Sequence, residues 1–226
     1  MTKGIFITAT GTEVGKTYVT ALMVKKMRES GFQCGYYKAA MSGNERTQEG
    51  LIPGDAKYVN DIANLDEPLD NLVSYVYEEA VSPHLAAKLE GKPVDLAVVT
   101  KDYAATCEKY DYMAVEGSGG IVCPIRWDEQ QLLLEDIVQH LQLSTIVVAD
   151  AGLGTINSVV LTVSYLQQKG IGTKGIILNH YDTKDIMKVD NKAMIEQLTN
   201  VPVIACVQSD ATDLDINLEH LAALFA

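Results

Sequence analysis

Basic residues are scarce in this sequence: 18 lysines and arginines face 30 aspartates and glutamates, for a formal net charge of −12. No basic stretch offsets that balance, which argues against nucleic acid or an anionic membrane as partner. A nucleotide substrate stays open, because a few lysines and a divalent cation can hold phosphates on an acidic protein. Long apolar runs are also missing. The longest, such as 145–149, fall far short of a bilayer span, and the N-terminus has no apolar signal core with a cleavage site. Only four cysteines occur (Cys34, Cys107, Cys123 and Cys206), and they lack paired spacing, so reduced thiols and a cytoplasmic protein are expected. His84, His140, His180 and His220 lack metal-ligand spacing, which leaves zinc unsupported. No G-x-S-x-G elbow and no cysteine nucleophile signature is found.

What remains is a chain of 226 residues, 47% apolar, without low-complexity tracts. That is enough for one α/β domain covered on both faces of a sheet. Short apolar segments alternate with helical periodicity throughout. Strands are expected over 4–9, 33–39, 112–116, 145–149, 174–179 and 201–207. Helices are expected over 15–30, 55–63, from Pro83 to near Gly91, 95–109, 132–141, 156–168, 192–198 and 214–224. This rhythm predicts a mostly parallel sheet with helices on both faces, a Rossmann-like three-layer sandwich. Ligands bind such sheets beyond the carboxyl ends of the strands.

Four segments follow predicted strand ends. The first, Thr8-Ala9-Thr10-Gly11-Thr12-Glu13-Val14-Gly15-Lys16-Thr17, turns through glycines into an amphipathic helix. This has the grammar of a phosphate-binding loop (P-loop), in which backbone N–H groups and a helix start face an anion, lysine adds charge, and a threonine hydroxyl can hold magnesium; the alternative is a surface lysine beside an N-terminal threonine. Thr10 departs from the usual G-x-x-x-x-G-K-[ST] spelling, standing where its first glycine belongs. In the second segment Lys38 either reaches solvent from a strand end or shares an anionic ligand with Lys16, since two neighbouring ammonium groups repel unless an anion lies between them. Asp55, in Pro53-Gly54-Asp55, suits a helix N-cap as well as a metal. Glu116 closes the third apolar strand ahead of Gly117-Ser118-Gly119-Gly120; a carboxylate there must be paired or bind metal, making it the stronger magnesium candidate. The fourth segment, Gly152-Leu153-Gly154-Thr155-Ile156-Asn157, reads as a glycine turn capped by Thr155 or as an anion site at a helix start. Ser82-Pro83-His84 reads as a capped helix start.

With these pieces in order, the chain resembles the dethiobiotin synthetases, ATP-dependent ligases of biotin synthesis. The resemblance rests on Thr12-Glu13-Val14-Gly15-Lys16-Thr17, Gly35-Tyr36-Tyr37-Lys38 with Ser42-Gly43, Asp55, Ser82-Pro83-His84, Val115-Glu116-Gly117-Ser118-Gly119-Gly120, 152–157 and Leu178-Asn179. It implies a single P-loop ligase domain over 1–226. The implied reaction takes 7,8-diaminononanoate, CO2 or bicarbonate, and ATP with Mg2+. It further implies catalytic roles for Thr12, Lys16, Lys38 and Ser42. Nucleotide contacts would come from Glu13, Val14, Gly15, Lys16, Thr17, Tyr18, Glu116 and Asn179, and metal contacts from Thr17, Asp55 and Glu116. The substrate would meet Thr12, Lys38, Ser42 and, through its tail carboxylate, Gly152, Leu153, Gly154, Thr155, Ile156 and Asn157 of the other subunit in a homodimer. Ala9 and Ala39 stand where the family commonly has glycine and proline, and Ala39 is expected to release the turn after Lys38. A partition-type ATPase on the same fold would carry a second lysine at Gly11. A cobyrinate-type amidating synthase would need a glutaminase domain.

Overall fold

A computed structural model describes residues 2–48 and 50–225. Its elements in chain order are β1 (Lys3–Ala9), α1 (Lys16–Glu29), β2 (Cys34–Met41), β3 (Glu45–Thr47), β4 (Gly50–Ile52), α2 (Gly54–Ala63) and β5 (Val73–Val76). Then come α3 (Pro83–Leu89), α4 (Leu96–Cys107), β6 (Tyr112–Glu116), β7 (Pro124–Trp127), β8 (Gln131–Leu133) and α5 (Leu134–His140). The chain closes with β9 (Thr145–Asp150), α6 (Thr155–Gln168), β10 (Thr173–Asn179), α7 (Ile186–Thr199), β11 (Val203–Cys206) and α8 (Leu218–Leu224).

Seven strands form one sheet in the order β11-β10-β9-β1-β6-β2-β5, with every pairing parallel. Such strands are apolar on both sides, and each side buries its own core. Successive residues of β1 illustrate the alternation: Phe6 faces a core completed by Val99, Ile137, Val159 and Ile195, from α4 to α7. Ile5, Ile7 and Ala9 face the other core, completed by Leu22, Met23 and Met27 of α1, Val59 of α2 and Leu221 of α8. The three layers therefore follow from the two-sided strand pattern. Among the described residues no helix is long and apolar enough to cross a membrane, and the four cysteines carry free thiols, Cys107 and Cys206 only partly buried.

Differences from the sequence reading have local causes. The short edge strand β5 and the hairpins β3–β4 and β7–β8 carry no long apolar stretch and were not expected. The seventh helix begins at Ile186, where the Asp185 side chain accepts the N–H groups of Met187 and Lys188, six residues before the predicted start. The last helix starts at Leu218 behind an Asn217 cap, rather than at 214. Lys38 does not end its strand. The second strand runs on to Met41, pairing Ala40 with Tyr75 and Met41 with Val76, and alanine at position 39 permits this where proline would remove a backbone donor.

Central β1 lies between β6 and β9, and the chain leaves it first toward β2 and later toward β9. The crevice at the carboxyl ends of these strands is where such a fold places a ligand.

Candidate functional site

The phosphate-binding loop joins β1 to α1. Glu13 (φ 61°) and Gly15 (φ 85°) both adopt the left-handed backbone, which turns neighbouring N–H groups toward one side. The α1 N-terminus has no side-chain cap and no acidic residue in its first turn, so its free N–H groups and positive dipole end remain available to an anion. Asn179, at the end of β10, packs its side chain on the Cα of Gly15 and donates through Nδ2 to the Val14 carbonyl at 3.1 Å. Its Oδ1 is buried without a partner among the described residues. A ligand hydrogen-bond donor beside the loop is the natural match for that oxygen.

Below the loop the sheet register assembles the charged group. Lys38 of β2 pairs with Glu116 of β6, and both side chains emerge on the α1–α2 face. Glu116 is 1% exposed and Lys38 is 2% exposed. Three donors converge on Glu116 Oε1: Lys38 Nζ at 2.8 Å, Lys16 Nζ at 3.0 Å and Thr17 Oγ1 at 2.8 Å. Lys38 also meets Asp55 Oδ2 of α2 at 2.5 Å. Glu116 is thus the anion between the two lysines that their proximity demands. Asp55 is not a cap: Pro53 holds that position, and the aspartate reaches Lys38 instead.

Electrostatics separates the two lysines. Burial works against the charge of Lys38, but Glu116 and Asp55 together outweigh it and raise the ammonium above the ordinary lysine range. Lys16 is lowered. Burial is its largest influence, the Lys38 charge adds to it, and Glu116, in direct contact at 3.0 Å, only partly opposes them. For Glu116 burial favours the acid form, yet Lys16 and Lys38 prevail and hold it at about 2, a carboxylate. The two ammonium groups and the two carboxylates of the cluster balance in formal charge.

Above it opens a cavity of about 350 Å³. It gathers the expected Thr12, Glu13, Gly15, Lys16, Thr17, Tyr18, Lys38, Ser42 and Asp55, and adds Gly11, Met41, Ser118 and Gly119. Ser118, whose hydroxyl donates to the Ala40 carbonyl at 2.5 Å, was readable only as part of the glycine turn after β6. The Ser42 hydroxyl donates to the Val81 carbonyl at 2.5 Å. Asn44 was overlooked: its buried side chain donates to the Tyr77 carbonyl at 2.7 Å and accepts the Gly54 N–H at 3.2 Å, tying β2 to the start of the Asp55 helix.

Other expected residues lie apart from this cavity. None of residues 152–157 lines it. Gly154 (φ 89°) is the cap position of α6, and Thr155 is buried with a hydroxyl that has no partner among the described residues, so it is not the cap. The turn presents Leu153, 93% exposed, beside a separate apolar depression formed with Ile156, Val160, Leu161 and Leu198. Ser82 makes no cap hydrogen bond; its hydroxyl pairs with His84 Nδ1 at 3.0 Å.

No cluster of three His, Cys, Asp or Glu side chains able to hold a metal occurs among the described residues. A magnesium ion carried by phosphates needs less than that. The Thr17 hydroxyl and Asp55 supply hard oxygen donors at the cavity, and Glu116, which does not line it, lies directly behind with Oε1 2.8 Å from Thr17 Oγ1. That donor set suits magnesium.

Comparison with known proteins bears on the family and the fold. The model of a family described as an AAA domain matches residues 3–213. An ATP-dependent dethiobiotin synthetase of Clostridium botulinum (strain Loch Maree) is 48% identical over 225 residues, spanning 100% of this chain and 99% of that protein. The one from strain 657 is 50% identical over 221 residues, 98% of this chain and 97% of that protein. Among solved structures, the MinC:MinD cell division complex of Aquifex aeolicus superposes with a TM-score of 0.58 at 13% identity, covering 99% of this chain and 86% of that one. A ParA family ATPase from Chlorobium tepidum TLS gives 0.54 at 15%, covering 92% and 84%. Identities this low speak for the shared fold alone. Near-half identity along the whole length is another matter, and by it the chain belongs to the ATP-dependent dethiobiotin synthetase family.

Proposed function

We propose that this protein closes the ureido ring of dethiobiotin from 7,8-diaminononanoate, carbon dioxide and MgATP, releasing ADP and phosphate. The observation that carries this reading is the convergence of Lys16 and Lys38 on one buried carboxylate at the base of a phosphate-binding loop. A loop with one lysine binds a nucleotide. A second lysine held by the neighbouring strands faces the point where the terminal phosphate meets its acceptor.

One substrate amine captures carbon dioxide as a carbamate. A carbamate oxygen attacks the γ-phosphorus and ADP leaves. The second amine then adds to the carbonyl carbon, and phosphate departs as the ring closes. Such transfers are accelerated mainly by positioning and charge neutralisation. Lys16 bridges the outer phosphates from the start of α1. Lys38 neutralises the charge growing between carbamate and phosphate. Thr12 and Ser42 orient the diamine end, Glu13, Val14, Gly15 and Tyr18 line the nucleotide, and Asn179 offers Oδ1 to the base. Thr17, Asp55 and Glu116 would hold magnesium, which supplies charge neutralisation to the β- and γ-phosphates. The expected result is dethiobiotin and phosphate in equal amounts when diaminononanoate, bicarbonate and MgATP are combined, followed by mass spectrometry and phosphate release. Phosphate release that ignores the diamine, or no product, overturns the reading.

We further infer that the chain works as a homodimer in which the 152–157 turn of one subunit receives the tail carboxylate of substrate bound by the other. Two features support it: the turn is absent from the lysine cavity, and an exposed apolar surface of Leu153, Leu161 and Leu198 surrounds it. Mixing Lys16→Ala subunits with subunits carrying Gly154→Asp should restore up to about a quarter of normal activity, because a statistical heterodimer contains one intact composite site. Verified heterodimers without activity place both parts of the site in one chain.

A further inference from the structure

Glu116 uses its two oxygens unequally. Oε1 accepts three hydrogen bonds, whereas Oε2 is buried without a partner among the described residues. The same region contains a second group without a hydrogen-bond partner among the described residues, the hydroxyl of Tyr36, whose residue is 0% exposed. Sheet register explains why the two meet. Tyr36 lies two residues before Lys38 on β2 and therefore shares its face, and it pairs with Ala114, two residues before Glu116 on β6. Ala114 carries only a methyl group, and the Tyr36 hydroxyl lies close enough to Glu116 to feel its carboxylate both as a charge and as a hydrogen-bond acceptor. Burial, followed by the nearby charges of Glu116 and Asp55, raises the phenol well above its ordinary value, so it remains a donor. Two buried orphans, one obligate acceptor and one donor, are each costly alone and satisfy each other by a small rotation of the carboxylate.

We propose that Tyr36 is a positioning residue that donates its hydroxyl hydrogen to Glu116 Oε2. Its value arises during ligand exchange. When phosphates draw Lys16, Lys38 and Thr17 away, Glu116 loses all three of its donors on Oε1. Tyr36 is rooted in the sheet core and stays, keeping the plane of the carboxylate fixed and Oε1 turned toward the cavity. The kinetic part of this inference rests on the ligase reading above; the hydrogen bond itself does not.

Tyr36→Phe removes the hydroxyl and keeps the ring. In ligand-free protein the bond predicts a lower unfolding temperature for this variant. It also predicts a downfield, slowly exchanging tyrosine hydroxyl proton by NMR in the unaltered protein, which disappears in the variant. In turnover it predicts kcat about tenfold lower with the diamine KM within about twofold, since a charge-assisted bond is lost without a substrate contact. In a Glu116→Gln background, where the charge is gone, removing the hydroxyl should change each quantity far less. The proposal is overturned if Tyr36→Phe unfolds at the same or a higher temperature and no such proton is seen, as an orphan hydroxyl would give. Both ligand-free measurements keep their meaning even if no ligase activity is found.

Discussion

Replacing Lys38 by alanine lowers kcat by about two to three orders of magnitude, while the KM for ATP changes only a few-fold. The asymmetry follows from where the charge is needed. Lys16 and the α1 N-terminus already hold the nucleotide in the ground state, so binding survives. Lys38 is held between Glu116 and Asp55 at 2.8 Å and 2.5 Å, and it is required when negative charge accumulates between carbamate and γ-phosphate. A donor already placed in a poorly solvated site gains most at that moment, because little solvent has to reorganise around it. Steady-state kinetics with the diamine and ATP varied separately provides the check. A loss confined to KM for ATP would make Lys38 a nucleotide-binding group only.

The second large effect concerns stability. Glu116→Gln leaves the buried ammonium groups of Lys16 and Lys38 without their shared counter-charge, which costs about 3–5 kcal/mol. In a chain of this size that corresponds to a fall in Tm of about 10 °C. Acidity gives an independent test. Folding depresses Glu116 from 4.5 to about 2. Its contribution is therefore complete above pH 4.5 and disappears as pH falls through about 2, on the order of 3 kcal/mol. Denaturant melts across that interval should show a steeper acid loss in the unaltered protein than in Glu116→Gln. Equal slopes would mean that Glu116 is not the ionised centre of the cluster.

The sheet was legible because its strands are apolar on both sides and long enough to stand out from the helices between them. Where that signal thins, as in β5 (Val-Ser-Tyr-Val) or the polar Glu-Arg-Thr of β3, the sequence carries no period to read. The first six residues of α7 were missed although its Asp185 cap was present. For the site, Lys16, Thr17, Lys38 and Glu116 were nominated one by one from strand ends and glycine turns. Their mutual geometry was not available, because it depends on a register that pairs Lys38 with Glu116 across 78 positions of chain. The sequence could say that two lysines need an anion between them; only the fold identifies that anion as Glu116. Asp55 shows the same limit. Its local pattern suits a cap, and only the packing of α2 beside β2 turns it toward Lys38.

The account depends on Glu116 yielding both lysines to the reacting phosphates. A crystal structure with a non-hydrolysable MgATP analogue and diaminononanoate measures this directly. The account predicts Lys16 Nζ and Lys38 Nζ within about 3 Å of γ-phosphate oxygens, with Thr17, Asp55 and Glu116 turned toward the metal. Lysines still bound to Glu116 Oε1, with the γ-phosphate seated elsewhere in the cavity, would contradict it.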